Sequence, residues 1–184
     1  CASQKQQQCA GSTLSGDKIN MYHIRPAQEA DLSGITEIYN DAILTTTATF
    51  DTEVKTLENR LQWFKERDEN FPVLVVEQDH QIIAYAALNK WSERKAYDIT
   101  AEISLYVHKV HRGKGIGKTL ISKIVTAAKE KGSLNSLIAR ITEGNDQSIY
   151  LHQQNGFTLM GIMKQAGMKF GKLHDVTFMQ LMLK

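Results

Sequence analysis

YDITAEISLYVHKVHRGKGIGKT, residues 97–119, joins two devices end to end. From Tyr97 to His108 the side chains alternate: Tyr97, Ile99, Ala101, Ile103, Leu105 and Val107 fall on one face, and Asp98, Thr100, Glu102, Ser104, Tyr106 and His108 on the other. A period of two with one apolar side predicts a strand over 97–108. Glu102 places a carboxylate in the middle of its polar face. The next stretch, HRGKGIGKT, has glycines at 113, 115 and 117 and runs into Ile116, Leu120, Ile121, Ile124 and Val125, which repeat with the period of a helix. Strand, glycine-rich turn and helix start together make an anion seat. Glycines let the backbone come close, unpaired N–H groups point outward, and the helix dipole favours negative charge.

The charges agree. No acid occurs from Ile103 through Lys129, whereas Lys109, Arg112, Lys114, Lys118, Lys123 and Lys129 do. The plain alternative is a solvated basic helix face after a flexible turn, but three glycines, the amphipathic strand and a wholly cationic flank favour a phosphate ligand. Two common phosphate motifs fail on register. A Walker A loop needs a glycine five residues before Gly117-Lys118-Thr119, where Arg112 stands. A dinucleotide fingerprint needs G-x-G-x-x-G, and the spacing here is G-x-G-x-G. The pattern present, Arg112-x-x-Gly115-x-Gly117, resembles the acetyl-CoA pyrophosphate loop of the GNAT superfamily of N-acetyltransferases, which also follows an amphipathic strand and opens a helix.

At 184 residues and 42% hydrophobic, the chain has the size of one domain or one domain plus a tail. A net charge of +2 gives no global argument for nucleic acid or membrane, and the basic loop lacks interleaved aromatics for base stacking. Apolar runs such as Ile82–Leu88 are too short to span a bilayer. Both cysteines, Cys1 and Cys9, lie at the start, so the body offers no disulfide framework, thiol nucleophile or cysteine metal site. A reducing, cytoplasmic setting is expected. Residues 1–20, rich in Gln, Ser, Gly and Lys, read as a disordered leader or expression remnant, with Met21 as the natural start of a single domain over 21–184.

Along that body, short alternation predicts a strand at Tyr22–Arg25. Asp31 is placed as N-cap of a helix to about Leu44, and Thr56 caps a second helix near Leu57–Arg67. Val73–Val76 is a continuous apolar run, the mark of a central strand; Asp79-His80 turns it into a hairpin partner over Gln81–Trp91. After the 97–108 strand and its helix, which Gly132 ends, come a strand at Leu134–Thr142, a helix at Asn145–Gln154, a strand from Gly156 to about Lys164, and a last strand at Val176–Leu183. This order is a mixed α/β, three-layer design. No internal repeat appears.

The resemblance extends from about Met21 to Lys184. Asn145-x-x-Ser148-x-x-Leu151-His152-x-x-x-Gly156-Phe157 is similar to the superfamily's CoA-contacting helix and following strand. Tyr39-Asn40-Asp41-Ala42-Ile43, Ala48-Thr49-Phe50, Trp91, Tyr97, Glu102, Tyr106-Val107, Leu151-His152, Lys169-Phe170-Gly171 and His174-Asp175-Val176 together resemble the phosphinothricin and methionine sulfoximine acetyltransferases. The resemblance implies a GNAT-like fold, a central mixed and largely antiparallel sheet with helices on both faces. It also implies direct transfer of acetyl from acetyl-CoA to the α-amine of a small amino acid or analogue, without an acyl-enzyme, in a homodimer.

The implied site follows residue by residue. Glu102 is the general base, directly or through a water; its alternative is a structural pair with Arg94 or Lys95. His152 protonates the thiolate or shares the base role, or else is a helix histidine bonded to backbone. Tyr106 brings its hydroxyl near the thioester, or packs by its ring. Backbone groups of Leu105, Tyr106 and Val107 would hold the pantetheine arm, and a wedge between the 97–108 and 134–142 strands would take the thioester. The backbone of Arg112, Gly113, Lys114, Gly115, Ile116, Gly117 and Lys118, with Thr119, would hold the pyrophosphate, and Asn145 and Ser148 the distal arm. Phe50, Trp91, Arg94, Tyr97, Thr100, Lys169 and His174 join Glu102 as the acceptor set. No metal is expected, since His108 and His111 have no third ligand in register.

Three positions depart from the family pattern: Ser92 where an arginine usually follows Trp91, Leu173 where tryptophan is usual, and Ala84 where glycine is usual. The first two touch the implied acceptor pocket and leave Arg94 as its carboxylate clamp. Two other readings stand beside the first: acetylation of another amine, such as a polyamine or a protein N-terminus, and a CoA-binding module without turnover.

Overall fold

The computed structural model describes residues 22–184; the leader assigned to residues 1–20 lies outside the described residues. The run Val73-Leu74-Val75-Val76 shows how the layers form. Leu74 and Val76 pack into one apolar cluster, and Val73 and Val75 into a second on the opposite face. A strand buried on both sides needs helices on both sides.

Seven strands make one sheet: β1 (His23–Pro26), β2 (Val73–Gln78), β3 (Gln81–Lys90), β4 (Thr100–Val107), β5 (Ser136–Thr142), β6 (Thr158–Lys169) and β7 (Lys172–Met182). Their order is β1-β2-β3-β4-β5-β7-β6, with β4 and β5 parallel and all other neighbours antiparallel. On one face α1 (Leu32–Thr45) sets Leu32, Ile35 and Ile38 against Val73, Val75, Tyr85 and Ala87, with α2 (Leu57–Lys65) beside it. On the other, α3 (Ile116–Lys131) buries Ile116, Leu120, Ile121 and Ile124 against β2, β3 and β4, and α4 (Asp146–Gln154), beside β5, adds Ile149 and Leu151. The fold is the mixed, largely antiparallel α/β three-layer arrangement that the sequence implies.

Three local readings are corrected. The alternation from Tyr97 outruns its strand: residues Lys95–Tyr97 form a 3-10 turn, and Tyr97 and Ile99 are exposed. The reason is pairing, since the β3 ladder ends at Lys90 opposite Ala101. Asp31 makes no side-chain cap on α1. Its carboxylate instead accepts from the Gln28 amide at 2.7 Å and from both Arg25 Nη atoms at 2.7 and 2.8 Å, closing a 3-10 turn at Glu29–Asp31. Lastly, β6 and β7 form a hairpin that runs through residues 165–175, which sequence reading leaves as a connection. A register shift between Met163 and Gly167, with Gln165 at φ 50°, breaks the periodicity there.

One irregularity positions the site. β4 pairs with β3 from Ala101 to Val107, and β5 with β7 along its whole length, but β4 and β5 pair only from Thr100/Ser136 to Glu102/Ile138. Beyond Glu102 the two strands part.

Candidate active site

The glycine loop is shaped by conformation at two positions and by contact at a third. Gly113 and Gly115 sit at φ 76° and 79°, and Gly115 is the N-cap of α3. An L side chain there would cost about 1–2 kcal/mol. Gly117 is helical; a Cβ on it would stand at ordinary contact distance, 3.4 Å from Leu151 Cδ1 and 3.5 Å from Leu105 Cδ2, which marks where α3 packs against β4 and α4. The Thr119 amide returns to the Gly115 carbonyl at 3.3 Å, and the amides of residues 116–118 are left as the free first-turn donors of the helix. Lys118 lines the same channel, of about 520 Å³, with Asn145 and Ser148 on its far wall.

The side chains of several implied cofactor residues are engaged within the protein. Arg112 Nε donates to the Val107 carbonyl at 3.0 Å, and Arg112 and Lys109 lie 3.7 and 3.2 Å from Asp41. The arginine braces the loop, and the anion seat rests on backbone. Lys114 and Thr119 do not line the channel; the Thr119 hydroxyl is spent on the Gly115 carbonyl and on Tyr22, both at 3.4 Å. Backbone phase also reduces the pantetheine trio. The His108 amide donates to Ile83 and the Ile99 carbonyl accepts from Asn135, so even-numbered residues of β4 turn their backbone to β3 and odd-numbered ones toward β5. Past the split, Leu105 and Val107 therefore face the wedge, whereas Tyr106 contributes its side chain and not its backbone.

A second cavity of about 660 Å³ opens on the α1–α2 face, and Ala48 and Tyr106 line both spaces. Glu102 lines this acceptor cleft at the point where β4 and β5 part. Its structural partner is neither Arg94 nor Lys95 but Arg140 of β5, with Oε1 2.7 Å from Nε and Oε2 2.6 Å from Nη2. Beside it, Tyr106 stacks on Tyr85 at 5.3 Å and meets Tyr39 edge-on at 5.1 Å. Burial pushes the Tyr106 hydroxyl well above the ordinary tyrosine value, so it stays protonated. The Tyr39 hydroxyl donates to Asp51 at 2.8 Å. Burial pushes the Asp51 carboxyl up, but the hydrogen bonds from Lys55 and Tyr39 outweigh it and hold the group below its usual value.

Of the implied acceptor set, the structure brings only Phe50 and Glu102 to the cleft wall. Trp91 stands behind it, 5.9 Å from the Arg140 guanidinium. Arg94 and Tyr97 are exposed on the 91–99 connection, and Thr100 meets the Ser136 hydroxyl at 3.5 Å. Lys169 is 3% exposed, and its Nζ donates to the Thr49 carbonyl at 2.7 Å; burial pushes its ammonium down. His174 bridges the Lys169 carbonyl, at 3.1 Å, and Glu143, at 3.3 Å. These two residues tie the hairpin to the 46–51 loop. His152 lines neither space: it is 5% exposed, packs edge-on to Phe157 at 5.0 Å, and its Nδ1–H donates to the Ser148 carbonyl at 2.7 Å. Burial pushes its imidazole below the usual value. The cations that do line the cleft, Arg60 and Arg140, are absent from the expected set. Arg140 had a signal, a lone charge inside the apolar run Leu137–Ile141; Arg60 had none beyond its place on a polar helix face.

A channel with a helix-N-terminal anion seat, joined through a split sheet to a polar cleft, is a site for two substrates. Residues 24–178 match the Acetyltransferase (GNAT) domain family; the chain belongs to this family and is an N-acetyltransferase. Over 161 residues it is 41% identical to an L-methionine sulfoximine/L-methionine sulfone acetyltransferase of Salmonella typhimurium, covering 87% of this chain and 94% of that protein. Among solved structures, a ribosomal-protein-alanine N-acetyltransferase from Brucella melitensis is 41% identical, with a TM-score of 0.83 over 87% of this chain and 99% of that one. A GNAT superfamily phosphinothricin acetyltransferase from Sinorhizobium meliloti, in complex with acetyl-CoA, is 35% identical, with a TM-score of 0.84 over 88% of each chain.

Proposed function

We propose that this enzyme acetylates the α-amine of a small amino acid or analogue of the methionine sulfoximine, methionine sulfone or phosphinothricin type, by direct attack on acetyl-CoA. The observation that carries the reading is the meeting of the two cavities at Ala48 and Tyr106, beside Glu102, where the sheet splits. The relatives' acceptors and the acetyl-CoA complex support it. The donor side fits the cosubstrate: the first amides of α3 and Lys118 suit its pyrophosphate, and the outward backbone of Leu105 and Val107 suits its amide-bearing arm. Bound acetyl-CoA supplies the acetyl group as a thioester.

Glu102 uses one lone pair of each oxygen for Arg140, and each oxygen keeps another for the acceptor ammonium. It orients that group and takes its proton, directly or through a water. The freed amine forms the new C–N bond as the C–S bond breaks. The sulfur leaves with the electron pair and accepts a hydrogen bond from the protonated Tyr106 hydroxyl. It takes the second proton that the nitrogen loses as it becomes the amide, so that Glu102 holds one proton and the free thiol the other. His152 is assigned to structure. The enzyme acts in the cytoplasm, where its cosubstrate is found. It pairs as a homodimer through β6, an edge strand exposing Leu159, Met160, Ile162 and Met163.

The kinship to a ribosomal-protein-alanine N-acetyltransferase favours one second reading, a peptide N-terminus as acceptor. A polyamine is disfavoured by the two arginines of the cleft. Thiol release from acetyl-CoA, measured with methionine sulfone, phosphinothricin, ordinary amino acids, spermidine and an Ala-initiated peptide, separates these. Turnover of amino-acid analogues, lost in E102Q, supports the proposal. Turnover of peptide alone supports the second reading, and acetyl-CoA binding with no turnover leaves a binding module.

A further inference from the structure

Among the described residues, Arg60 is the one charged group of the acceptor cleft with neither a salt bridge nor a side-chain hydrogen bond of its own; Asp51 feels its charge but is paired to Lys55. It is 7% exposed, on α2, and lines the cleft with Glu102, Asp51 and Arg140. The guanidinium lies over Trp63 at 4.1 Å and over Tyr39 at 4.7 Å, and its Nε has no hydrogen-bond partner among the described residues. The two acids of the cleft are matched elsewhere: Asp51 to Lys55 at 3.0 Å and Glu102 to Arg140 at 2.6 Å.

Arg67 shows that this is not the rule for the region. It stacks on the same indole, at 4.5 Å, but its donors are committed: Nε to the Phe71 carbonyl at 3.0 Å, Nη1 to Asn89 at 3.2 Å, and Nη2 to the Leu88 carbonyl. Two guanidiniums on one ring repel, and an unpaired buried donor is costly. Both costs fall when an anion reaches Arg60. Its fork of donors, held over Trp63, suits a carboxylate.

We propose that Arg60 binds the α-carboxylate of the acceptor amino acid while Glu102 receives its ammonium. This assignment rests on the acceptor class proposed above. It replaces Arg94, the clamp expected from sequence, which lies outside the cleft. It explains how a site with a lone catalytic carboxylate holds a zwitterion: each end of the substrate meets an opposite charge.

The test compares methionine sulfone with its α-carboxamide as acceptors, in the full-length wild-type enzyme and in R60Q and R60K. Amine basicity differs between acid and amide, but that difference is common to all three enzymes and cancels from the ratio. The wild type should prefer the acid, and R60Q should lose roughly 100-fold in kcat/KM for the acid and no more than about threefold for the amide. The loss should fall mainly on acceptor KM, with the KM for acetyl-CoA unchanged and R60K recovering part of the preference. A rise in Tm on adding methionine sulfone should occur in the wild type and vanish in R60Q. Should R60Q not fold, R60K carries the same comparison, with a preference reduced about tenfold. Equal losses on acid and amide would reduce Arg60 to a prop for Trp63 and overturn the assignment. So would a loss confined to phosphinothricin, run as a third acceptor in the same three enzymes, which would place the side-chain phosphinate at Arg60. A wild type that turns over neither acid nor amide while binding acetyl-CoA would instead sink the proposed acceptor class.

Discussion

The donor channel and the acceptor cleft are built on opposite plans. The channel centres on one contiguous stretch, Leu105 to Lys118, walled by the 144–151 turn, the end of α1 with the 45–48 loop, and Phe170; its anion-facing groups are largely backbone, fixed by two left-handed glycines and a helix end. The cleft is made of side chains drawn from seven places: Tyr39 on α1, the 48–51 loop, Arg60 and Trp63 on α2, Tyr85 and Asn89 on β3, Glu102 on β4, Arg140 on β5, and the β6–β7 hairpin. A backbone site tolerates sequence change and keeps its ligand. A side-chain site can be re-aimed by one substitution. The family's common donor and varied acceptors are the expected consequence.

Breaking each half in turn should separate them. The largest effect belongs to the junction: E102Q should lower turnover roughly 10²–10⁴-fold while acetyl-CoA binding is kept. Loss of acetyl-CoA binding in that variant would show that the carboxylate serves the channel instead. In the channel, G115A forces a side chain to φ 79° at a cost of about 1–2 kcal/mol. The KM for acetyl-CoA should rise about tenfold with acceptor KM unmoved. In the cleft, G167A would put a Cβ 2.5 Å from Phe50 Cε2 and drive the ring aside. Acceptor KM should rise severalfold, up to about tenfold, with the KM for acetyl-CoA unmoved. Crossed effects, with G115A altering the acceptor or G167A the donor, would erase the distinction between the two halves.

The smallest kinetic effect is expected at His152. In H152Q, kcat should stay within about threefold, while stability falls by about 1–2 kcal/mol through lost packing on Phe157. A kcat loss of 100-fold would make His152 the acid after all. The sign of its pH dependence is set by burial. Because the folded imidazole binds its proton less readily than the unfolded one, the unfolded chain holds more protons below the ordinary value of 6.5. Stability is therefore fully present above pH 6.5 and declines as pH falls through that window. Urea melts at pH 7.5 and 5.5 should show this contribution in the wild type and its absence in H152Q.

The same contrast explains what the sequence makes legible. The strand–loop–helix unit declares itself because alternation, glycines and helical period are local signals, and so does the order of elements along the chain. Arg60 declares nothing: a charged residue on an amphipathic helix reads as solvent-facing, and only the approach of Tyr39 and the indole of Trp63 buries it. Lys169 misleads in the opposite direction, since its motif suggests the acceptor while its ammonium is tied to Thr49. The tip of the β6–β7 hairpin is hidden because exposed residues and a register shift interrupt its period.

The central claim is that both substrates occupy joined cavities at once. Initial rates over a grid of acetyl-CoA and methionine sulfone concentrations test it most directly. Direct attack in a ternary complex predicts intersecting double-reciprocal lines; parallel lines, with acetyl retained on the protein when the acceptor is withheld, would contradict it.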